Sequence, residues 1–334
     1  LLDRNAARSE DAARMRLKLL YHANCFDGAA SAAVLSRFLE GRERLSETAF
    51  APVQHQQGDP FGPDAFDGDL NAVVDFRFSP SPGLHWWFDH HQSAFQAASD
   101  RAAFEADRSG TKFWDPAAPS NTGFMSRVLG ERFGWRAPDL EELVRWADVI
   151  DAARFPSARV AVRLEEPALR IMAVLEASKD PDFPARLIRA FQGEPLAAIA
   201  AEPWVAGPLA PVLARHARAL ESYRALARLD RGVVEADLSE AGVEAPNKFI
   251  PYDLFPAARY AVTVTCDAKR AKVGVGSNPW SAVPRTHDIA RICERYGGGG
   301  HPVVGAVSLA PERLLDARRI ANEIAETLRG PPAP

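Results

Sequence analysis

The chain has 334 residues, 47% hydrophobic and 25% charged, close to the averages for soluble globular proteins, which excludes disordered, collagen-like and coiled-coil chains and makes two domains the natural expectation. Its 40 Lys and Arg against 44 Asp and Glu give a net charge of −4, so a long duplex nucleic acid is not the expected partner, whereas a small phosphorylated substrate is compatible. No run approaches the ~20 apolar residues of a membrane span, no secretory signal is visible, and Cys25, Cys266 and Cys293 are too scattered for a disulfide framework or paired zinc site, so a reducing cytoplasm is the expected setting.

Residues 1–15 read as a polar arm or short helix. Leu17–Tyr21 is an apolar run of strand length, followed by the polar turn His22-Ala-Asn-Cys-Phe-Asp27-Gly28. Residues 29–39 have helical composition, with Ala30, Val34 and Phe38 on one face. Strand, polar turn and helix open an α/β unit. Phe50–Gln54 is a second strand candidate, Asn71–Val74 a third that ends at Asp75, and Leu84–Phe88 a fourth that ends at Asp89-His90-His91. Helices are expected over 121–133 and 139–155; in the latter Leu140, Leu143, Val144, Ala147 and Ile150 recur at helical spacing. Asp148 and Asp151 lie one turn apart there, Asp151 within the apolar stripe and Asp148 on its flank.

From about 165 to 230 the chain reads as helical and Pro-punctuated, ending in a connector helix over 209–229 with a stripe at 212, 216, 220, 223 and 226. Strands are expected at Tyr260–Thr265, Lys272–Gly276 and Val303–Leu309, and helices at His287–Tyr296 and 311–329. A Gly297–Gly300 run with His301 precedes the last strand, and the Pro-rich tail reads as disordered. The expected division is 1–195, a helical linker 196–230, and a smaller α/β domain 231–330.

Three strand candidates thus deliver His or Asp at their carboxyl ends, the edge at which open parallel sheets bind ligands. His22, Asp27, Asp75, His90 and an acid from the 139–155 helix form a mixed imidazole and carboxylate set, which suits Mn²⁺ or Mg²⁺ better than a Cys-rich zinc site. With two metals, a shared carboxylate could bridge them and activate a water for attack on phosphorus. Strand alternation predicts that only one of His90 and His91 faces a metal, leaving the other for substrate. The bland alternative is a set of solvated turn residues. The glycine run reads either as a hinge or as a backbone that approaches phosphate closely. His216 reads as core or interface, Arg77 as a surface residue, and His55 and His85 have no visible partner. At least one of Trp86 and Trp87 is expected to be buried, and Cys266 and Cys293 read as packing residues.

Taken together the motifs resemble the DHH phosphoesterase superfamily, whose Asp-His-His stands here at 89–91. His22–Gly28 is similar to its first motif, Asp75 to its second, Asp148 or Asp151 to its helix-borne acid, and Gly298-Gly299-Gly300-His301 to the signature of its C-terminal associated domain. The resemblance implies a bilobal α/β protein with a parallel-sheet domain, the active site in the cleft between lobes, and two Mn²⁺ ions, with Mg²⁺ or Co²⁺ as substitutes. By that resemblance Asp27, Asp75, His90 and Asp148 (Asp151 as alternative) hold one metal, and His22 and Asp75 contribute to the other. Asp89 orients the ligands, His91 and His301 contact substrate phosphate, and the Gly298–Gly300 backbone helps to hold it. Two departures stand out. Cys25 takes the place of a usual Asp, similar to a nano-RNase-like subgroup also linked to cyclic-nucleotide hydrolysis; it either ligates as a thiolate or leaves one metal weakly held. Gly276-Ser277 stands where an Arg-Ser is usual, leaving Lys272, Arg285 or another residue to reach phosphate.

The expected activity is a metal-dependent phosphodiesterase, a hydrolase acting on a short oligonucleotide or small nucleotide. The alternatives are a single-strand exonuclease, a polyphosphatase and a catalytically silent nucleotide-binding protein. A homodimer through the 209–229 stripe is a further expectation.

Overall fold

The computed structural model describes residues 14–54, 56, 58–243 and 245–331; the expected N-terminal arm up to residue 13, His55 and the last Pro-rich residues lie outside the described residues. Two compact units emerge. One comprises the described residues up to Arg154 together with Pro167–Gly207, the other Phe155–Glu166 together with the described residues from Pro208 onward.

The first unit begins with β1 (Met15–His22), α1 (Phe26–Glu40), β2 (Leu45–Val53), β3 (Leu70–Val74) and β4 (Trp86–Asp89). It continues with α2 (Ala98–Ala106), β5 (Lys112–Trp114), α3 (Asn121–Phe133) and α4 (Glu141–Asp151). Its five strands form a parallel sheet in the order β2-β1-β3-β4-β5. β5 has no counterpart in the sequence reading; at three residues it is too short to show a period. Every residue of β4 is buried, as befits a parallel strand covered on both faces. Trp86 and Trp87 point to opposite faces and both are buried. Trp87 meets Phe78 and Phe104, with ring centroids 5.0 and 5.2 Å away, while Trp86 meets Phe38 and Phe133 at 5.6 and 5.4 Å. Ala29, Ala30, Ala32 and Ala33 carry little bulk, so α1 is buried almost all round. Register aligns Tyr21 with Val74 and Val74 with Phe88. The next residue of each strand path is His22, Asp75 or Asp89, so three polar groups stand abreast at one sheet edge.

Between the units in sequence lie α5 (Ala158–Arg163), α6 (Pro167–Ala177), α7 (Phe183–Phe191), α8 (Leu196–Ala201) and α9 (Pro203–Leu226). The sequence reading puts boundaries at 195 and 230; the compact units divide inside α9. α5 goes with the second unit because Ala158 and Val162 bury among Tyr223, Ile250 and Tyr252. His216 on α9 donates Nε2–H to the Val162 carbonyl at 2.6 Å, a packing role that ties α5 to α9.

The second unit adds β6 (Arg228–Asp230), β7 (Val233–Asp237), α10 (Ile250–Leu254), β8 (Tyr260–Cys266) and β9 (Ala271–Ser277). α11 (Ile289–Glu294), β10 (Gly299–His301), β11 (Val304–Leu309) and α12 (Leu314–Arg329) complete it. Its six-stranded sheet runs β10-β11-β9-β8-β7-β6, with β7 and β8 parallel and the other pairs antiparallel. Val262, Val264, Val273 and Val275 alternate inward against Ile320 and Ile324 of α12, with Cys293 buried among them. Cys266 packs at the margin of the same core.

One buried side chain pins the loop beneath β3. The Asn71 amide Nδ2 faces the carbonyls of Phe66, Gly68 and Gly83 at 3.1, 3.0 and 3.0 Å, and its Oδ1 accepts from the Gly68 amide at 2.9 Å. The Asn71 backbone amide donates to His85 Nδ1 at 3.0 Å, so His85 also has a partner. Replacing Asn71 by Ala removes these bonds at a site only 1% exposed. The expected cost is about 2–3 kcal/mol, measured as a lower urea midpoint with an unchanged slope.

Candidate active site

The site grows from the turn after β1. His22 ends the strand, Asn24 takes a left-handed φ of 53°, and Cys25 starts α1. Gly28 is required by a close approach: a Cβ there would stand 2.3 Å from the His22 carbonyl oxygen. Asp27, in the first turn of α1, is 1% exposed and meets the first turn of α3. Its Oδ2 accepts the Asn121 amide at 2.7 Å and its Oδ1 the Thr122 amide at 2.9 Å. Ser120, the N-cap of α3, accepts the Gly123 amide at 2.9 Å.

Asp75 follows β3 with φ at 56°, a left-handed conformation costly for a non-glycine residue and typical of constrained functional positions. Asp89 is wholly buried; its Oδ1 accepts the His90 and His91 amides at 2.8 and 3.2 Å and meets His91 Nδ1 at 2.7 Å. His90 Nδ1 faces the Ala118 carbonyl at 3.1 Å, which makes Nδ1 the protonated nitrogen and turns Nε2 inward. That Nε2 lies 3.5 Å from Asp75 Oδ1, 3.5 Å from Asp151 Oδ2 and 3.7 Å from Asp27 Oδ2. His22 Nδ1 is 3.5 Å from Asp75 Oδ2.

Two donor groups result, one of His22, Asp75 and His91, the other of Asp27, His90 and Asp151, with the donor atoms of each group within 4.8 Å of one another. Both His90 and His91 therefore face the site. β4 stops at Asp89, so the pair lies in a turn where strand alternation no longer applies. Asp151 stands in the second group; Asp148, one turn earlier, instead accepts the Ser120 hydroxyl at 2.6 Å. Cys25 is in neither group. Gly298–Gly300 and His301 belong to the second unit, where they form part of the hairpin of β10 and β11. A Cβ on Gly298 would lie 2.2 Å from the Ala306 carbonyl oxygen and one on Gly300 2.3 Å from that of Val304. Close packing of this hairpin thus needs those glycines, and His301 ends β10 exposed.

Electrostatics mark the edge as short of positive charge. Burial, then the charges of Asp75 and Asp151, push Asp27 well above the usual carboxylate range. Burial and Asp75 also push Asp151 up. Burial works against ionised Asp75 too, yet the imidazoles of His22, His90 and His91 hold it well below that range. Cys25 is pushed up by burial and then by Asp75 and Asp27, so its thiol keeps its proton in this setting. Both Asp75 oxygens and His90 Nε2 are buried with no hydrogen-bond partner. Buried orphan acceptors among clustered carboxylates, with imidazole and oxygen donors, fit a divalent cation of the Mn²⁺ or Mg²⁺ kind.

The backbone contributors went unmarked in the sequence. Ser120 before a helix is a legible N-cap, but its neighbours' amides pair with an acid 94 residues away, as does the Thr122 amide at 95. The Ala118 carbonyl that sets the His90 tautomer carries no side-chain signal at all.

His90 is held up at about 10; burial opposes its charge, but Asp75, Asp27 and the Ala118 carbonyl outweigh it. The stability this gives the metal-free chain is full below the unfolded value of about 6.5 and fades as pH rises through about 10. A cation must displace that proton from Nε2. The Mn²⁺-induced rise in Tm is therefore expected to grow from about pH 6 to about pH 9, and a rise independent of pH in that window would contradict this competition.

No protein-family model and no curated protein matches the chain. Solved structures do. A pGpG-specific phosphodiesterase from Vibrio cholerae, PggH, superposes with a TM-score of 0.68 at 20% identity, over 94% of this chain and 99% of that one. RecJ from Thermus thermophilus in complex with Mn²⁺ gives 0.55 at 17% identity, over 96% of this chain and 53% of that one. The DHH domain of a member of the s1p family of ribosomal proteins gives 0.53 at 12%, over 94% and 87%. The chain shares the fold of these structures, one of them a DHH domain.

Proposed function

We propose that this protein is a divalent-cation-dependent phosphodiesterase acting on a short oligonucleotide or small nucleotide. The observation that carries the reading is the pair of donor groups at the carboxyl edge of the parallel sheet, with both Asp75 oxygens and His90 Nε2 buried and orphaned. Asp27, His90 and Asp151 would hold one cation, His22 and Asp75 a second, and Asp75, flanked by His22 and His90 at 3.5 Å on its two oxygens, would serve both. Bound there, Mn²⁺ or Mg²⁺ supplies Lewis acidity toward a phosphoryl oxygen and lowers the pKa of water.

The chain's own groups do the rest. Asp89 holds His91 by Nδ1 at 2.7 Å, which leaves Nε2 to meet a phosphoryl oxygen. Burial opposes the His91 charge, but the Asp89 carboxylate outweighs it and raises its pKa, which favours donation to the negative charge that develops on phosphate. Ala118 keeps His90 in one tautomer, and Asp89 fixes both amides of the His pair. His301, exposed at the end of β10 beside Gly298–Gly300, is proposed as a further phosphate contact. The small net charge of −4 suits a compact substrate neutralised by cations rather than by a broad basic surface. That PggH acts on the dinucleotide pGpG supports the same substrate size.

Asp75→Asn is expected to lower Mn²⁺-dependent turnover by about a thousandfold or more. The panel that tests the substrate is a 5′-phosphorylated dinucleotide, a longer single strand, a cyclic dinucleotide, a 3′,5′-bisphosphate nucleotide and polyphosphate. The dinucleotide is expected to have the highest kcat/KM. Hydrolysis of polyphosphate alone, or near wild-type turnover by Asp75→Asn, would sink the reading.

A further inference from the structure

Two acids stand one turn apart on α4 and do different things. Asp151 faces His90 Nε2 at 3.5 Å, while Asp148 turns to the first turn of α3. We infer that Asp148 is a positioning residue that sets the Asp27 carboxylate through the N-terminus of α3 and does not itself ligate the cation. The inference rests on the reading of Asp27 as a cation ligand.

The connection is continuous. The Ser120 hydroxyl donates to Asp148 Oδ1 at 2.6 Å, and Ser120 Oγ accepts the Gly123 amide at 2.9 Å. Ser120 is therefore fixed from both sides at a position with no exposure. The next two residues, Asn121 and Thr122, donate their amides to the two oxygens of Asp27 at 2.7 and 2.9 Å. The Thr122 hydroxyl donates to the Asp27 carbonyl at 3.2 Å, and Asn121 Nδ2 to the Ser31 hydroxyl at 2.9 Å, so these residues are tied to α1 as well. Rotating Ser120 would rotate both amides away from Asp27.

A steric feature independently marks the contact. A Cβ on Gly123 would stand 2.3 Å from Asp148 Oδ1 and 2.9 Å from its Cγ. Glycine costs helix stability inside α3, and here it makes room for one carboxylate. An acid that merely decorated the surface of α4 would need no such gap. The N-terminus of α3, a 13-residue helix, also favours negative charge. Asp27 and Asp148 share that end, one presented to the cation site and one to the N-cap.

The test is Mn²⁺ affinity of the full chain, read from the electron paramagnetic resonance of free Mn²⁺, with Tm measured alongside. Asp148→Ala is expected to weaken binding about 10-fold, whereas Asp148→Asn, which keeps an acceptor oxygen for Ser120, stays within about 3-fold. In an Asp27→Asn background the Asp148→Ala loss should vanish, as expected if the two act through one path. If Asp148→Ala does not fold, Ser120→Gly, which keeps an acceptable cap but deletes the hydroxyl, should show the same loss of about 10-fold. Equal losses for Asp148→Asn and Asp148→Ala would make Asp148 a direct ligand and overturn the inference. So would a lower Tm with unchanged affinity, or a loss that persists without Asp27. Wild-type protein that binds no Mn²⁺ would overturn the cation reading and the inference with it; wild-type binding with unaffected variants would overturn the inference alone.

Discussion

Negative charge buried at the carboxyl edge of a parallel sheet is the constraint from which the rest of the first unit follows. Asp27, Asp75 and Asp89 are each no more than 1% exposed, and Asp151 joins the first two around one imidazole nitrogen. Like charges about 4 Å apart repel by about 4 kcal/mol at an effective dielectric of about 20, so such a group persists only when countered. Each carboxylate is countered differently. Asp89 is countered by two amides and a histidine on its Oδ1, Asp27 by the open end of a helix, and Asp75 by imidazoles that leave both its oxygens without hydrogen bonds. The last arrangement is the one that asks for a cation.

The fold supplies that edge through register rather than through any single motif. Parallel pairing brings Tyr21, Val74 and Phe88 level, and the polar residues that follow them leave the sheet together. The bulk of Trp86 and Trp87 fills the two faces behind them, and the alanines of α1 let a helix sit fully buried against the site. Gly28 allows that helix to start within van der Waals reach of the strand it follows. In the second unit the glycine run has a comparable local cause, because Gly298 and Gly300 face the carbonyls of their hairpin partner.

Much of the site was legible in the order of residues. His22, Asp75, Asp89, His90 and His91 fall at strand ends or just after them, Asp27 in the first helical turn after β1, and a strand end is readable from an apolar run that stops. The two acids of α4 could not be told apart in this way. Asp148 and Asp151 are neighbours on one helix side, and a pattern of spacing cannot say that one meets His90 while the other meets Ser120. The direction of the His pair was not readable for a related reason: alternation is a rule for strands, and β4 ends one residue before it. His85 looked unattached because its partner is a backbone amide.

The sequence by itself determined the α/β class, the strand ends and the chemical types of the donors, because hydrophobic periodicity and side-chain chemistry are local properties. Tertiary structure alone decided which donors share a site. It set Asp151 rather than Asp148 beside His90 Nε2, turned both histidines inward, set the His90 tautomer from Ala118 and aimed the first turn of α3 at Asp27. Those choices depend on groups far apart in the chain and partly on backbone atoms, which every residue carries alike and which no residue pattern distinguishes.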